Sequence, residues 1–78
     1  MSTEAGFGQW LRRRRKELDL TQDELALRVG CSGVLIQKIE AGERKPSKQI
    51  AGLLAEQLRI PLDERLDFVR FARSKLIF

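Results

Sequence analysis

Residues 20–42, LTQDELALRVGCSGVLIQKIEAG, carry the boundary signals of two successive short helices. Thr21 followed by Glu24 makes a capping box at the first start, and Gly30 is a left-handed stop. Ser32 caps the helix that follows. Apolar residues recur at helical spacing throughout the chain, and no segment alternates with a period of two. The sequence therefore predicts an all-α fold.

Five helices are expected, in one compact bundle that forms a single domain over residues 1–78. The expected spans are about 7–18, 21–30 and 32–41, a fourth helix capped by Ser47 and ending before Pro61, and a fifth over about 62–76. On the fifth helix, the leucines and valine are predicted to face inward and the phenylalanines to face away. The predicted inward set is Leu62, Leu66, Val69 and Leu76, and the predicted outward set is Phe68, Phe71 and Phe78.

Composition excludes several classes of function. The chain has no histidine and a single cysteine, Cys31, so neither a histidine-based catalytic site nor an internal disulfide is possible. We expect no catalytic residue, no metal and no cofactor. There is no run of eighteen apolar residues and no basic-then-apolar leader, so we expect a cytoplasmic protein without a membrane span. The formal net charge of +4 favours a polyanionic partner.

The two helices of residues 21–41 have the spacing of a helix-turn-helix. The small side chain of Ala26 allows the next helix to approach closely, and Gly30 accepts a positive φ at the turn. Ile36 and Ile39 return to the same core. In such a motif the second helix enters the major groove of DNA.

The segment LTQDELALRVGCSGVLIQKIEAGERKPS resembles the helix-turn-helix of the phage repressor/Cro type, the XRE family. LRRRRKELD is similar to the first helix of that family, and the resemblance covers about residues 7–60. Two residues depart from the pattern. Arg14 stands where leucine is usual, which leaves the first helix short of one core residue, and Trp10 is expected to fill that space. Asp19 stands where glycine is frequent. The resemblance implies a lambda-repressor-like domain of a transcriptional regulator that binds double-stranded DNA sequence-specifically.

The outward face of the third helix is predicted to read DNA bases through Val34, Gln37 and Lys38. Glutamine pairs with adenine, lysine donates to guanine, and a branched methyl group packs on the methyl of thymine. The alternative is an ordinary solvent-exposed face. Gly33 lies at the edge of this face, where the family often has a base-reading residue, and its missing side chain suggests fewer base contacts.

Contacts to the DNA backbone are expected around these residues, at helix starts and in the basic loop. The candidates are Gln22, Ser32, Arg44, Lys45 and Lys48. The family resemblance also places Arg15 opposite Glu40, as a structural ion pair. Arg12 and Arg13 are expected to face solvent.

Other partners and functions remain open at this stage. The apolar outward side of the fifth helix predicts self-association as a homodimer, or contact with further domains of a longer parent protein. An antitoxin of the same fold would bind both a toxin protein and its operator. A protein-binding adaptor would have lost DNA affinity. RNA binding is disfavoured because no aromatic platform for stacked bases is visible.

Overall fold

The computed structural model of the chain describes residues 6–74, and within them all regular structure is helical. The elements are α1 (Phe7–Glu17), α2 (Gln22–Val29), α3 (Gly33–Glu40), α4 (Lys48–Gln57), a 3₁₀ turn (Leu62–Glu64) and α5 (Arg65–Ala72). The predicted all-α fold of five helices is confirmed.

Three of the helices begin at the predicted caps. At α2, the Thr21 hydroxyl accepts a hydrogen bond from the Glu24 N–H at 3.0 Å, and the Glu24 carboxylate accepts from the Thr21 N–H at 2.8 Å. Ser32 and Ser47 each accept from the backbone N–H three residues later, at 3.1 Å. These bonds satisfy N–H groups that have no partner inside the helix, so the three starts are set by local sequence.

Between residues 6 and 74, four residues turn the chain through the left-handed region. Gly30 joins α2 to α3 with a φ of 86°, and Gly42 follows α3 with a φ of 79°. Asp19 adopts a φ of 60° after α1, and Arg59 a φ of 62° after α4. A left-handed conformation costs a residue with a Cβ more than it costs glycine. The turn at Asp19 is therefore made despite the missing glycine, and the one at Arg59 is not apparent from the sequence.

The core lies between the two helices of the helix-turn-helix and the flanking α1, α4 and α5. Its completely enclosed large side chains include Leu11, Leu25, Ile36, Ile39, Leu54 and Leu58. Gly8 lets α1 approach the end of α3 closely, since a Cβ there would overlap the carbonyl oxygen of Glu40 and lie 2.6 Å from that of Ile39. The last turn of α3 is thus held directly against α1.

The predicted inward face of the fifth helix is wrong. Leu62 and Leu66 are 80% and 67% exposed, whereas Phe68 is only 6% exposed. The Phe68 ring packs edge-on against Phe7 and Trp10, with centroids 5.6 and 5.4 Å apart. The helix begins at residue 65, after a 3₁₀ turn, and its orientation follows the aromatic rings of α1.

The remaining assignments on this helix have different outcomes. Val69 is half-buried against the core, as predicted. Phe71 is 37% exposed while its ring still meets that of Phe7 at 5.3 Å, so it lies at the edge of the aromatic cluster. Leu76 and Phe78 lie outside the described residues.

Arg14 does not leave a vacancy for Trp10 to fill. Its guanidinium reaches the end of α4, where Nε and Nη2 donate to the Leu58 carbonyl at 3.2 and 3.1 Å. Trp10 instead packs in the aromatic cluster with Phe7 and Phe68. A charged residue at this position therefore joins two helices through a backbone carbonyl.

Candidate nucleic-acid interface

The two faces of α3 have opposite environments. Ile36 and Ile39 are 0% and 1% exposed and lock the helix into the core. Val34 is 59% exposed, and Gln37 and Lys38 are also exposed. The side chains predicted to read bases thus project from a helix whose orientation is fixed by its buried face.

A buried ion pair joins α1 to the end of α3. Arg15 Nε donates to Glu40 Oε2 at 2.7 Å, and Arg15 Nη2 donates to Glu40 Oε1 at 3.1 Å. The two side chains are only 9% and 5% exposed. Arg15 also donates from Nη1 to the Leu20 carbonyl at 2.8 Å. This bidentate geometry with an added backbone partner provides the hydrogen bonds that a buried pair of charges requires.

Glu40 also holds Gln22, the first residue of α2. Gln22 Nε2 donates to Glu40 Oε1 at 3.0 Å, which fixes the side-chain amide against the ion pair. An amide group has two N–H donors and one carbonyl oxygen, so one N–H remains for an outside acceptor. The amide predicted to contact DNA is therefore positioned by α3 as well as by its own helix.

An open groove of about 550 Å³ lies over this cluster. It is lined by Arg12, Arg15, Leu20, Thr21, Gln22, Gln37, Glu40 and Ala41. Gln37, a predicted base-reading residue, and Gln22, a predicted backbone contact, thus line one depression together. Arg12, predicted only as a solvent-facing charge, lies at the same groove, which the sequence pattern of five consecutive basic residues did not reveal.

The other predicted backbone contacts lie in the segments that precede and follow α3 in the chain. Ser32 uses its hydroxyl oxygen to accept from the Leu35 N–H at 3.1 Å, which leaves its own O–H free to donate. Arg44 and Lys45 lie in the loop after α3, and Lys48 is the first residue of α4. These three basic side chains are exposed. The loop after α3 and the first residue of α4 therefore carry three exposed positive charges.

Gly33, the first residue of α3, is half-buried because a side chain from α2 lies against it. A Cβ at Gly33 would overlap the carboxylate of Asp23. Asp23 was not among the predicted site residues, since an acid in the first turn of a helix is an ordinary feature.

Residues 6–74 contain no cluster of histidine, cysteine, aspartate and glutamate suited to a metal ion, and no helix among them is long and apolar enough to span a membrane. Cys31 is half-buried beside the core, and this burial raises the pKa of its thiol. A raised pKa disfavours the thiolate, so this thiol is not activated as a nucleophile.

The five helices, with a glycine turn between α2 and α3, define a helix-turn-helix domain. The helix-turn-helix family matches residues 11–65, and the chain belongs to this family. Its fold is similar to the solution structure of the DNA-binding domain of the P22 C2 repressor, with a TM-score of 0.72 and 28% identity over 100% of both chains.

Two curated relatives are similar in sequence. An uncharacterized transcriptional regulator in the ATPase CF(0) region of Rhodospirillum rubrum is 40% identical over 77% of this chain. An uncharacterized HTH-type transcriptional regulator of Methanothermobacter thermautotrophicus is 46% identical over 62% of this chain. The matched regions span 56% of the first relative and 70% of the second.

Proposed function

We propose that this chain is the sequence-specific DNA-binding module of a transcription regulator, with α3 lying in the major groove of double-stranded DNA. The observation that carries the proposal is the division of α3 into an anchored and a free face. Ile36 and Ile39 are enclosed in the core, while Val34, Gln37 and Lys38 face outward. A helix held in this way has its backbone ordered before it binds, so binding costs only the rotamer freedom of the base-reading side chains.

The surrounding polar groups fit a role in orienting the domain on the duplex. Gln22 retains a free amide N–H, and Ser32 retains its hydroxyl proton, each at the start of a helix of the motif. Arg44, Lys45 and Lys48 supply exposed positive charge after α3. Contacts of this kind bind phosphates irrespective of sequence and fix the register of the reading helix.

We further propose that the domain binds DNA as a homodimer, with the second copy seated on the exposed leucines that precede and begin α5. Leu62 and Leu66 are 80% and 67% exposed. Two copies of a helix-turn-helix domain read two half-sites, which extends the sequence that is recognised. This surface replaces the phenylalanine surface predicted from sequence, because Phe68 belongs to the core.

Selection of bound sites from random duplex DNA tests the proposal. We expect one enriched motif, bound with an affinity that falls steeply as salt is raised, because phosphate contacts release counterions. A Lys45→Ala variant should keep the motif and flatten the dependence of log affinity on log salt by about one unit. Arg13→Ala, which removes the same charge from the exposed side of α1, is the matched control and should leave the slope nearly unchanged. Recovery of no enriched motif would reject sequence-specific binding.

A further inference from the structure

The first position of α3 is occupied by a side chain from α2. Gly33 begins α3 and has no side chain of its own, and a Cβ there would overlap Asp23 Oδ1 and lie 3.2 Å from Asp23 Cγ. The carboxylate of Asp23 therefore fills the volume that a base-reading side chain at Gly33 would enter first. The absence of a side chain at Gly33 is thus what allows Asp23 to adopt this position.

Helix capping does not account for the position of this carboxylate. The start of α2 is closed by the reciprocal bonds of Thr21 and Glu24, and the start of α3 by the hydroxyl of Ser32. Asp23 takes part in neither cap. It is exposed at the seam between the two helices, on the same end of α3 as Val34.

We propose that Asp23 is a specificity-determining residue that acts in place of the absent side chain at Gly33. A carboxylate only accepts hydrogen bonds, so in the major groove it favours the exocyclic amines of cytosine and adenine. It disfavours guanine, whose major-groove edge presents two acceptors. Asp23 then sets a preference for cytosine or adenine at a base pair beside the one that Val34 contacts. This inference rests on the proposed function, because it assumes that α3 lies in the major groove.

Two variants test the placement and the charge of the carboxylate separately. Asp23→Asn removes the charge and adds amide donors. Gly33→Ala keeps the charge but requires the flexible carboxylate to move, since the new methyl group takes its position. Alanine is also a better helix former than glycine, so this variant should fold at least as well as the wild type. Asp63→Asn, in the 3₁₀ turn, makes the same chemical change at an exposed site away from the motif.

The measurement is site selection from random duplex DNA for the wild type and the three variants, with a thermal melt of each. We expect both Asp23→Asn and Gly33→Ala to reduce the preference for cytosine or adenine at one position by about fivefold, which is the lower range for a specific base contact. Asp63→Asn should leave every base preference unchanged. A change in overall affinity does not distinguish the two roles, because removing any acid strengthens binding to a polyanion.

The possible failures are distinguishable. If the wild type selects a clear motif and both variants select the same motif with the same preferences, Asp23 is not a specificity determinant and the proposed function stands. If Asp23→Asn raises affinity for all sequences as Asp63→Asn does, and changes no preference, Asp23 contributes only its charge and the inference is wrong. If the wild type selects no motif, the proposed function is wrong, and this inference is wrong with it because it assumes that function.

Discussion

Arg14 donates two hydrogen bonds to the backbone carbonyl of Leu58, across 44 positions of sequence, and so joins α1 to the end of α4. Hydrogen bonds from a charged donor contribute about 1.5–3 kcal/mol when buried, and this guanidinium is half-buried. We expect Arg14→Ala to lower the free energy of unfolding by about 1–2 kcal/mol, since the carbonyl of Leu58, which follows α4, loses its partner. Chemical denaturation measures this, with the exposed Arg13→Ala as control. Equal stabilities of the two variants would contradict the role.

The ion pair of Arg15 and Glu40 should contribute more, because both side chains are buried. Removing one partner leaves an uncompensated buried charge, and we expect Arg15→Ala to cost about 3–5 kcal/mol of unfolding free energy. Arg12→Ala, on the solvent side of the same helix, should cost less than about 1 kcal/mol. A double-mutant cycle with Glu40→Gln isolates the coupling between the two residues. A coupling energy near zero would show that the pair does not stabilise the fold.

Substitution of glycine for the left-handed residues that follow α1 and α4 is expected to stabilise the fold. Arg59 has a φ of 62°, and replacing it with glycine should raise the unfolding free energy by about 0.5–1 kcal/mol, because glycine relieves the Cβ strain but gains freedom in the unfolded chain. Asp19→Gly should gain less, since aspartate tolerates this conformation. Glu56→Gly, inside α4, is the control and should lose about 1 kcal/mol. Destabilisation by Arg59→Gly would show that its side chain matters more than its backbone.

The outward face of α3 should determine sequence preference without affecting stability. We expect Gln37→Ala and Lys38→Ala each to relax specificity at a separate base pair, by about 1–3 kcal/mol, and Val34→Ala to weaken a thymine preference nearby. All three side chains lie away from Ile36 and Ile39, so melting temperatures should barely change. The measurement is the selected motif of each variant compared with that of the wild type. Unchanged motifs would mean that this face is ordinary surface.

Self-association is tested through the exposed leucine at the start of α5. Sedimentation velocity of the wild type should show a dimer that Leu66→Ser converts to a monomer, because a buried apolar contact is lost on substitution with serine. Leu27→Ser removes a leucine that is 82% exposed on α2 and is the matched control. The dimer should survive that change. A wild-type monomer at all concentrations tested, with and without DNA, would rule out the dimer.

Local sequence signals specify where most helices begin and where the chain turns, because each signal acts on backbone groups only a few residues away. A cap such as Thr21 or Ser32 bonds to a backbone N–H three residues away, and Gly30 reverses the chain through its own φ. The spacing of Ile36 and Ile39 likewise predicts which side of α3 is buried, since residues three apart lie on the same face of a helix. These features sufficed to predict the helix-turn-helix and the exposed face proposed to read DNA.

The contacts between segments that are distant in the chain depend instead on how the helices pack. The periodicity of the fifth helix contains two apolar stripes, and the rings of Phe7 and Trp10 in α1 determine that Phe68, not Leu66, is buried. The position of the Asp23 carboxylate against Gly33 depends on the angle at which α2 packs on α3. Such contacts are absent from local sequence because they arise from the shapes of surfaces that become neighbours only when the core closes.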